Sequence, residues 1–81
     1  SRSISRIMNT LLVEQRGNTI VFTNNSNRNE SFTLSHGDTD ESVSINTGDT
    51  YETTIEHGTV TGIETAEITV ANSAADSITV E

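Results

Sequence analysis

Acidic side chains carry the densest chemistry in this chain. Asp38, Asp40 and Glu41 crowd one short stretch, and Asp49 and Glu52 follow close behind. Oxygen ligands of this kind suit calcium, which takes about six to eight of them. The spacing lacks the five ligand positions and the distant bidentate Glu of a calcium loop. It reads instead as a solvated acidic turn, and no metal or cofactor is expected. His36 and His57 have the chemistry of a base or a ligand pair, yet each stands before a glycine, in a turn context. Cysteine is absent, so no thiol nucleophile exists, and no serine lies in a Gly-x-Ser-x-Gly elbow. Two Phe, one Tyr and no Trp scarcely wall a dry, concave site. The expectation is a protein without catalysis and without a small-molecule substrate.

Two further motifs bear on location and partners. Asn24-Asn25-Ser26 and Asn29-Glu30-Ser31 match the acceptor pattern for N-linked glycan. With eight Asn among many Ser and Thr, such triplets also arise by chance. Charge is segregated along the chain. Residues 1–28 hold all four arginines (Arg2, Arg6, Arg16 and Arg28) and one acid, Glu14, which is 4 − 1 = +3. Residues 29–81 hold eleven acids and no Lys or Arg, which is −11. Phosphate repels such a domain, so no nucleic acid is expected. Arg2, Ile4, Arg6 and Ile7 form a basic, apolar-studded arm suited to an acidic protein neighbour. Arginine forks pair with carboxylates, and the isoleucines can bury.

The elements that must position these residues read as strands. Ile4, Ile7, Met8 and Leu11 fall at helical spacing, while Ile7, Asn9, Leu11 and Val13 alternate, so residues 1–9 are taken as an arm or short helix leading into residues 10–81. From Thr10 onward the period is two. Strands are predicted at 10–15, 19–23, 31–35, 42–46, 51–56, 59–64, 67–71 and 77–80. Ile20-Val21-Phe22 is apolar at consecutive positions, as in a strand buried on both faces. Turns are predicted at Arg16-Gly17-Asn18, at 36–41 and at Thr47-Gly48-Asp49. The segments opening with His36-Gly37 and His57-Gly58 look alike in hairpin geometry. Seven or eight short strands with Thr and Ser on outward positions argue for one all-β domain. A small antiparallel sandwich, immunoglobulin-like or jelly-roll-like, or a partly open barrel is expected.

Stability is the difficulty for such a chain. Leu, Ile, Val and Phe number 19 of 81 residues, a thin interior. A domain this size rarely draws more than about 3–5 kcal/mol from its core, and small scaffolds usually need staples. Disulfides are impossible here, and no Cys/His cluster suits structural zinc. The staple that remains is association, so a homo-oligomer or a larger assembly is expected. Lysine and proline are both absent and the net charge is −8. Acidic, lysine-free surfaces suit concentrated salt, because at about 1 M the Debye length is only about 3 Å. The longest apolar runs, Leu11-Leu12-Val13 and Ile20-Val21-Phe22, fall far short of the roughly 18 residues of a spanning helix, so no membrane is expected.

Size, acidic lysine-free composition, alternating strands such as Ser42–Asn46 and the arm Ser1–Ile7 together resemble the small β-rich structural proteins of tailed viruses that infect salt-loving archaea. Capsid decoration proteins are the nearest type. The resemblance implies a homo-oligomer in the virion, a trimer favoured over other symmetric forms, coating or reinforcing a capsid, with its arm against the shell protein. A tail or connector subunit would differ only in position. The competing expectation is an immunoglobulin-like or carbohydrate-binding module of a secreted or cell-surface halophile protein, glycosylated at Asn24 or Asn29.

Overall fold

The computed structural model describes residues 10–63 and 67–81. The expected arm, residues 1–9, lies outside the described residues, and so does Glu64. Two hairpins come first. β1 (Thr10–Arg16) and β2 (Thr19–Asn24) pair antiparallel from Leu11 opposite Asn24 to Arg16 opposite Thr19. β3 (Glu30–His36) and β4 (Thr39–Ile45) pair from Glu30 opposite Ile45 to His36 opposite Thr39. Both close through two residues, Gly17-Asn18 and Gly37-Asp38. The glycines have φ of 62° and 58°, and no non-glycine residue described has positive φ. Glycine at the first central position is what a type II′ turn requires, and its twist matches that of the strands.

Four short strands complete the fold: β5 (Thr50–Thr53), β6 (Gly58–Thr61), β7 (Glu67–Val70) and β8 (Ile78–Val80). A single 3-10 turn, Asn72–Ala74, bridges the last two. One sheet has the order β5-β2-β1-β7 and the other β4-β3-β6-β8. The domain is therefore a small β-sandwich, not a barrel. Both sheets are mixed, which corrects the antiparallel expectation. β7 runs parallel to β1, and β8 runs parallel to β6. After β4 the chain changes sheet with every strand, and such a path brings β7 and β8 back to an edge in the direction of their neighbours.

The core follows from the alternation. β1 turns Leu11 and Val13 inward, β2 Ile20 and Phe22, β3 Phe32 and Leu34, and β4 Val43 and Ile45. Val60, Ala74 and Ile78 close it. Phe22 and Phe32 meet across the sheets with ring centroids 5.1 Å apart, and Tyr51 flanks Phe22 at 6.3 Å. These are tilted contacts of the favoured kind. Val21, on the opposite face of β2, is also buried and stands between Glu14 and Glu52. The consecutive apolar run thus marks an inner strand covered on both faces.

Two local expectations are corrected. The turn expected over 36–41 is only Gly37-Asp38, and β4 already begins at Thr39. Tertiary bonding overrides the local polarity of Asp40-Glu41 there. Gly58 is not a second copy of the Gly37 turn. It lies buried inside β6, and an added Cβ would come within 2.7 Å of Ile55 Cδ1 and 3.1 Å of Leu34 Cδ1. Close approach, not positive φ, explains that glycine.

Candidate functional site

Both hairpin tips stand at one end of the sandwich. There Gln15, Asn18, Thr54, Ile55, Glu56, His57 and Ser77 line an open depression of about 530 Å³. Smaller hollows beside it are bordered by both His36 and His57. The two histidines, 21 residues apart in sequence, therefore flank the same region. His36 is tied to Glu41 by an Nε2···Oε1 contact of 3.3 Å. Tyr51 donates its hydroxyl hydrogen bond to the other oxygen of that carboxylate. These two bonds, Tyr51 first, hold the Glu41 carboxyl below the usual carboxylate range. The same bond holds the Tyr51 phenol above its ordinary value, with burial adding to it.

The acidic cluster expected at 38–41 does not converge. Asp40 and Glu41 are successive strand residues, so their carboxylates leave on opposite faces of the sheet. Glu41 is engaged by Tyr51 and His36, and Asp38 sits in the hairpin tip. Asp49 lies near the far end, its carbonyl accepting from Asn24 N–H at 2.9 Å. Among the described residues no three His, Asp or Glu side chains gather to hold an ion.

The far end is closed by Asn24, which is fully buried. Its Nδ2 donates to the carbonyls of Arg28 (2.9 Å) and Ile45 (2.8 Å), and its Oδ1 accepts from Ser26 N–H (2.9 Å). Ser26 Oγ stands 2.6 Å from the same Oδ1 and 3.2 Å from Glu30 Oε2. An amide so enclosed offers no site for a glycan, which overturns the Asn24 reading. Asn29 is exposed, although its Oδ1 accepts from Thr47 N–H at 3.1 Å. Of the arginines, Arg16 pairs with Glu14 at 2.6 Å on the surface, and Arg28 is exposed in the loop before β3. Arg2, Ile4, Arg6 and Ile7, the expected partner-binding set, lie outside the described residues.

Outward Thr and Ser were expected strand by strand, but two surfaces emerge only once the strands are paired and ordered. The outer face of the second sheet is almost wholly hydroxyl. Its register rows are Ser44–Ser31, then Ser42–Thr33–Thr61, then Asp40–Ser35–Thr59–Thr79. Ser31 and Ser44 are hydrogen-bonded through their hydroxyls at 3.0 Å. The second surface is the edge of β4. It pairs with β3 along all seven residues without a bulge and stands last in its sheet. Alternation in the sequence marks the strands, but strand order decides which edge is free.

Compared with known proteins, the chain matches no family model, no curated protein and no solved structure. Any functional reading therefore rests on its own geometry.

Proposed function

We propose that the chain is a non-enzymatic structural subunit that works by assembly, in the setting of a virus particle whose shell it coats or reinforces. The observation that carries this reading is β4, a seven-residue strand that is regular and, among the described residues, unpaired along one side. Free edges are an association hazard that proteins normally blunt with proline, bulges or charge. Here proline is absent from the whole chain. Charge covers only the Asp40-Glu41 half, and Ser42–Ile45 is neutral. A chain with only 19 Leu, Ile, Val and Phe residues and no disulfide gains most from such association. Multivalent contact makes individually weak edges strong in a particle.

The depression between the hairpin tips favours ligand binding less. Sugar recognition usually stacks a ring on an aromatic face, and all three aromatic side chains of the chain pack in or against the core. Glycan attachment at Asn24 would need an amide that the fold encloses. Acidity without lysine supports a concentrated-salt habitat, where a −8 surface is screened.

The test is recovery of the native protein in molar salt, followed by mass measurement. Isolation at high copy number within a large particle is the expected result. A free monomer at every salt concentration overturns the assembly reading.

A further inference from the structure

We propose that the free edge of β4 accepts the N-terminal segment Ser1–Arg6 of a second copy of this chain as an added strand, a proposal that rests on the assembly reading above. Three observations lead there: the edge, the pattern of the segment, and the distance between them.

Among the described residues the edge is the longest of four. β5 and β7 have four residues each and β8 three, against seven in β4. Half the backbone groups of an edge strand point away from its neighbour and are free to bond an incoming chain. On β4 the inward positions are Glu41, Val43 and Ile45, and the outward ones Asp40, Ser42 and Ser44. Polarity therefore differs between the two faces of the strand.

Ser1–Arg6 repeats that pattern in complementary charge. Ser1, Ser3 and Ser5 alternate with Arg2, Ile4 and Arg6, and no acid occurs among them. Laid antiparallel with Arg6 opposite Glu41, Ile4 falls opposite Val43 and Arg2 opposite Ile45. Ser5 then meets Ser42, and Ser3 meets Ser44. Hydroxyls extend the hydroxyl face, the isoleucine covers the flank of the core, and an arginine meets a carboxylate. Opposite charges and matched apolar side chains directly across a strand pair each add to its stability. Ile7 would fall opposite Asp40, so the added strand ends at Arg6.

Distance assigns the segment to another copy. β2 faces β3 through Phe22 and Phe32, and β5 faces β4 through Tyr51 and Glu41. β1 therefore stands over β6, three strand spacings from a strand added beyond β4, and one layer away. At about 4.8 Å per strand and about 10 Å between sheets, that gap is about 17 Å. Residues 7–9 between Arg6 and Thr10 allow four steps, which span at most about 14 Å. A chain cannot lay this segment on its own β4. Each copy donates one strand and accepts one, a head-to-tail arrangement that closes into a ring when the rotation permits.

The absence of native cysteine makes the test clean. Ser3→Cys with Ser44→Cys is oxidised in molar salt and run without reductant, beside Ser5→Cys with Ser44→Cys for the parallel direction. Ser3→Cys with Thr79→Cys, on the opposite edge, is the control. The expected result is a disulfide-linked species of two or more chains with the Ser3/Ser44 pair and little with Ser5/Ser44 or Thr79; a cross-link through Ser5/Ser44 alone overturns the antiparallel register. Arg6→Glu is expected to weaken association about tenfold or more, with circular dichroism showing the fold retained. An oligomer that persists unchanged in Arg6→Glu, with no cross-link above the control, overturns the β4 site and leaves assembly standing. A wild-type chain that stays monomeric throughout overturns both.

Discussion

The Tyr51 hydroxyl on β5 donates across the sandwich to the Glu41 carboxylate on β4, joining the outer strands of the two sheets. His36 touches the second oxygen of that carboxylate from β3. A carboxylate on an inward position of an edge strand is thus given two partners where the layers meet.

This bond predicts a two-sided pH dependence. Glu41 has a lowered pKa in the fold, so its contribution is complete above the ordinary carboxylate range and is lost as pH falls through the lowered value. Tyr51 has a raised pKa, so its contribution is complete below about 10 and is lost as pH rises through the raised value. Because Tyr51 is the only tyrosine, ultraviolet titration reads it alone. The midpoint is expected above that of free tyrosine in the native protein and closer to it in Glu41→Gln. An unshifted native midpoint would refute the bond.

Asn24 is the most deeply buried polar residue among those described, and its removal is costly. Asn24→Ala strips the donor from the Arg28 and Ile45 carbonyls and the acceptor from Ser26 N–H at a fully buried position. Leaving buried groups unsatisfied costs roughly 1–3 kcal/mol each before relaxation and water entry. A net loss of about 2–4 kcal/mol is expected by urea unfolding in molar salt, comparable with the whole stability of a domain this size. Asn29→Ala, on the exposed neighbour, should change stability by less than about 1 kcal/mol.

The hairpin tips give a prediction that separates turn geometry from packing. Around Gly37 nothing stands within 4 Å of an added Cβ, so the cost of Gly37→Ala comes from its φ of 58° alone. A loss of about 1–2 kcal/mol is expected. D-alanine at the same position, made by chemical synthesis, should restore or exceed wild-type stability. If both enantiomers destabilise equally, the turn is not the one described.

Much of this architecture was legible because it is local. Ile20-Val21-Phe22 announced a strand buried on both faces, and the glycines at 17 and 37 announced turns, the second shorter than expected. Alternation in 31–35 and 42–46 named Phe32, Leu34, Val43 and Ile45 as inward. What stayed hidden depends on pairing between distant segments. Nothing near Glu67 or Ile78 shows that each will lie parallel to a neighbour. The start of β4 was missed because Asp40 and Glu41 look like loop residues until Tyr51, ten positions on, supplies the partner. Asn24 looked like a glycan acceptor for the same reason, since one of the carbonyls its amide bonds belongs to Ile45, 21 residues away.

Salt should act on the hairpin-tip end more than anywhere else. Asp38, Glu56 and Asp76 are exposed there, around hollows that also hold His36 and His57, and the described arginine at this end, Arg16, is already paired with Glu14. Repulsion among them is unscreened in dilute buffer and nearly gone at about 1 M, where the Debye length is about 3 Å. The thermal midpoint is expected to climb steadily with sodium chloride and far less with sucrose. Sucrose strengthens burial without screening charge. In Glu56→Gln with Asp76→Asn, the low-salt midpoint should rise by about 4 °C, a size set by the small unfolding entropy of so short a domain, while the molar-salt midpoint stays put. Equal responses to salt and sucrose, or a double variant that keeps the full salt dependence, would place the effect in hydration and not in these carboxylates.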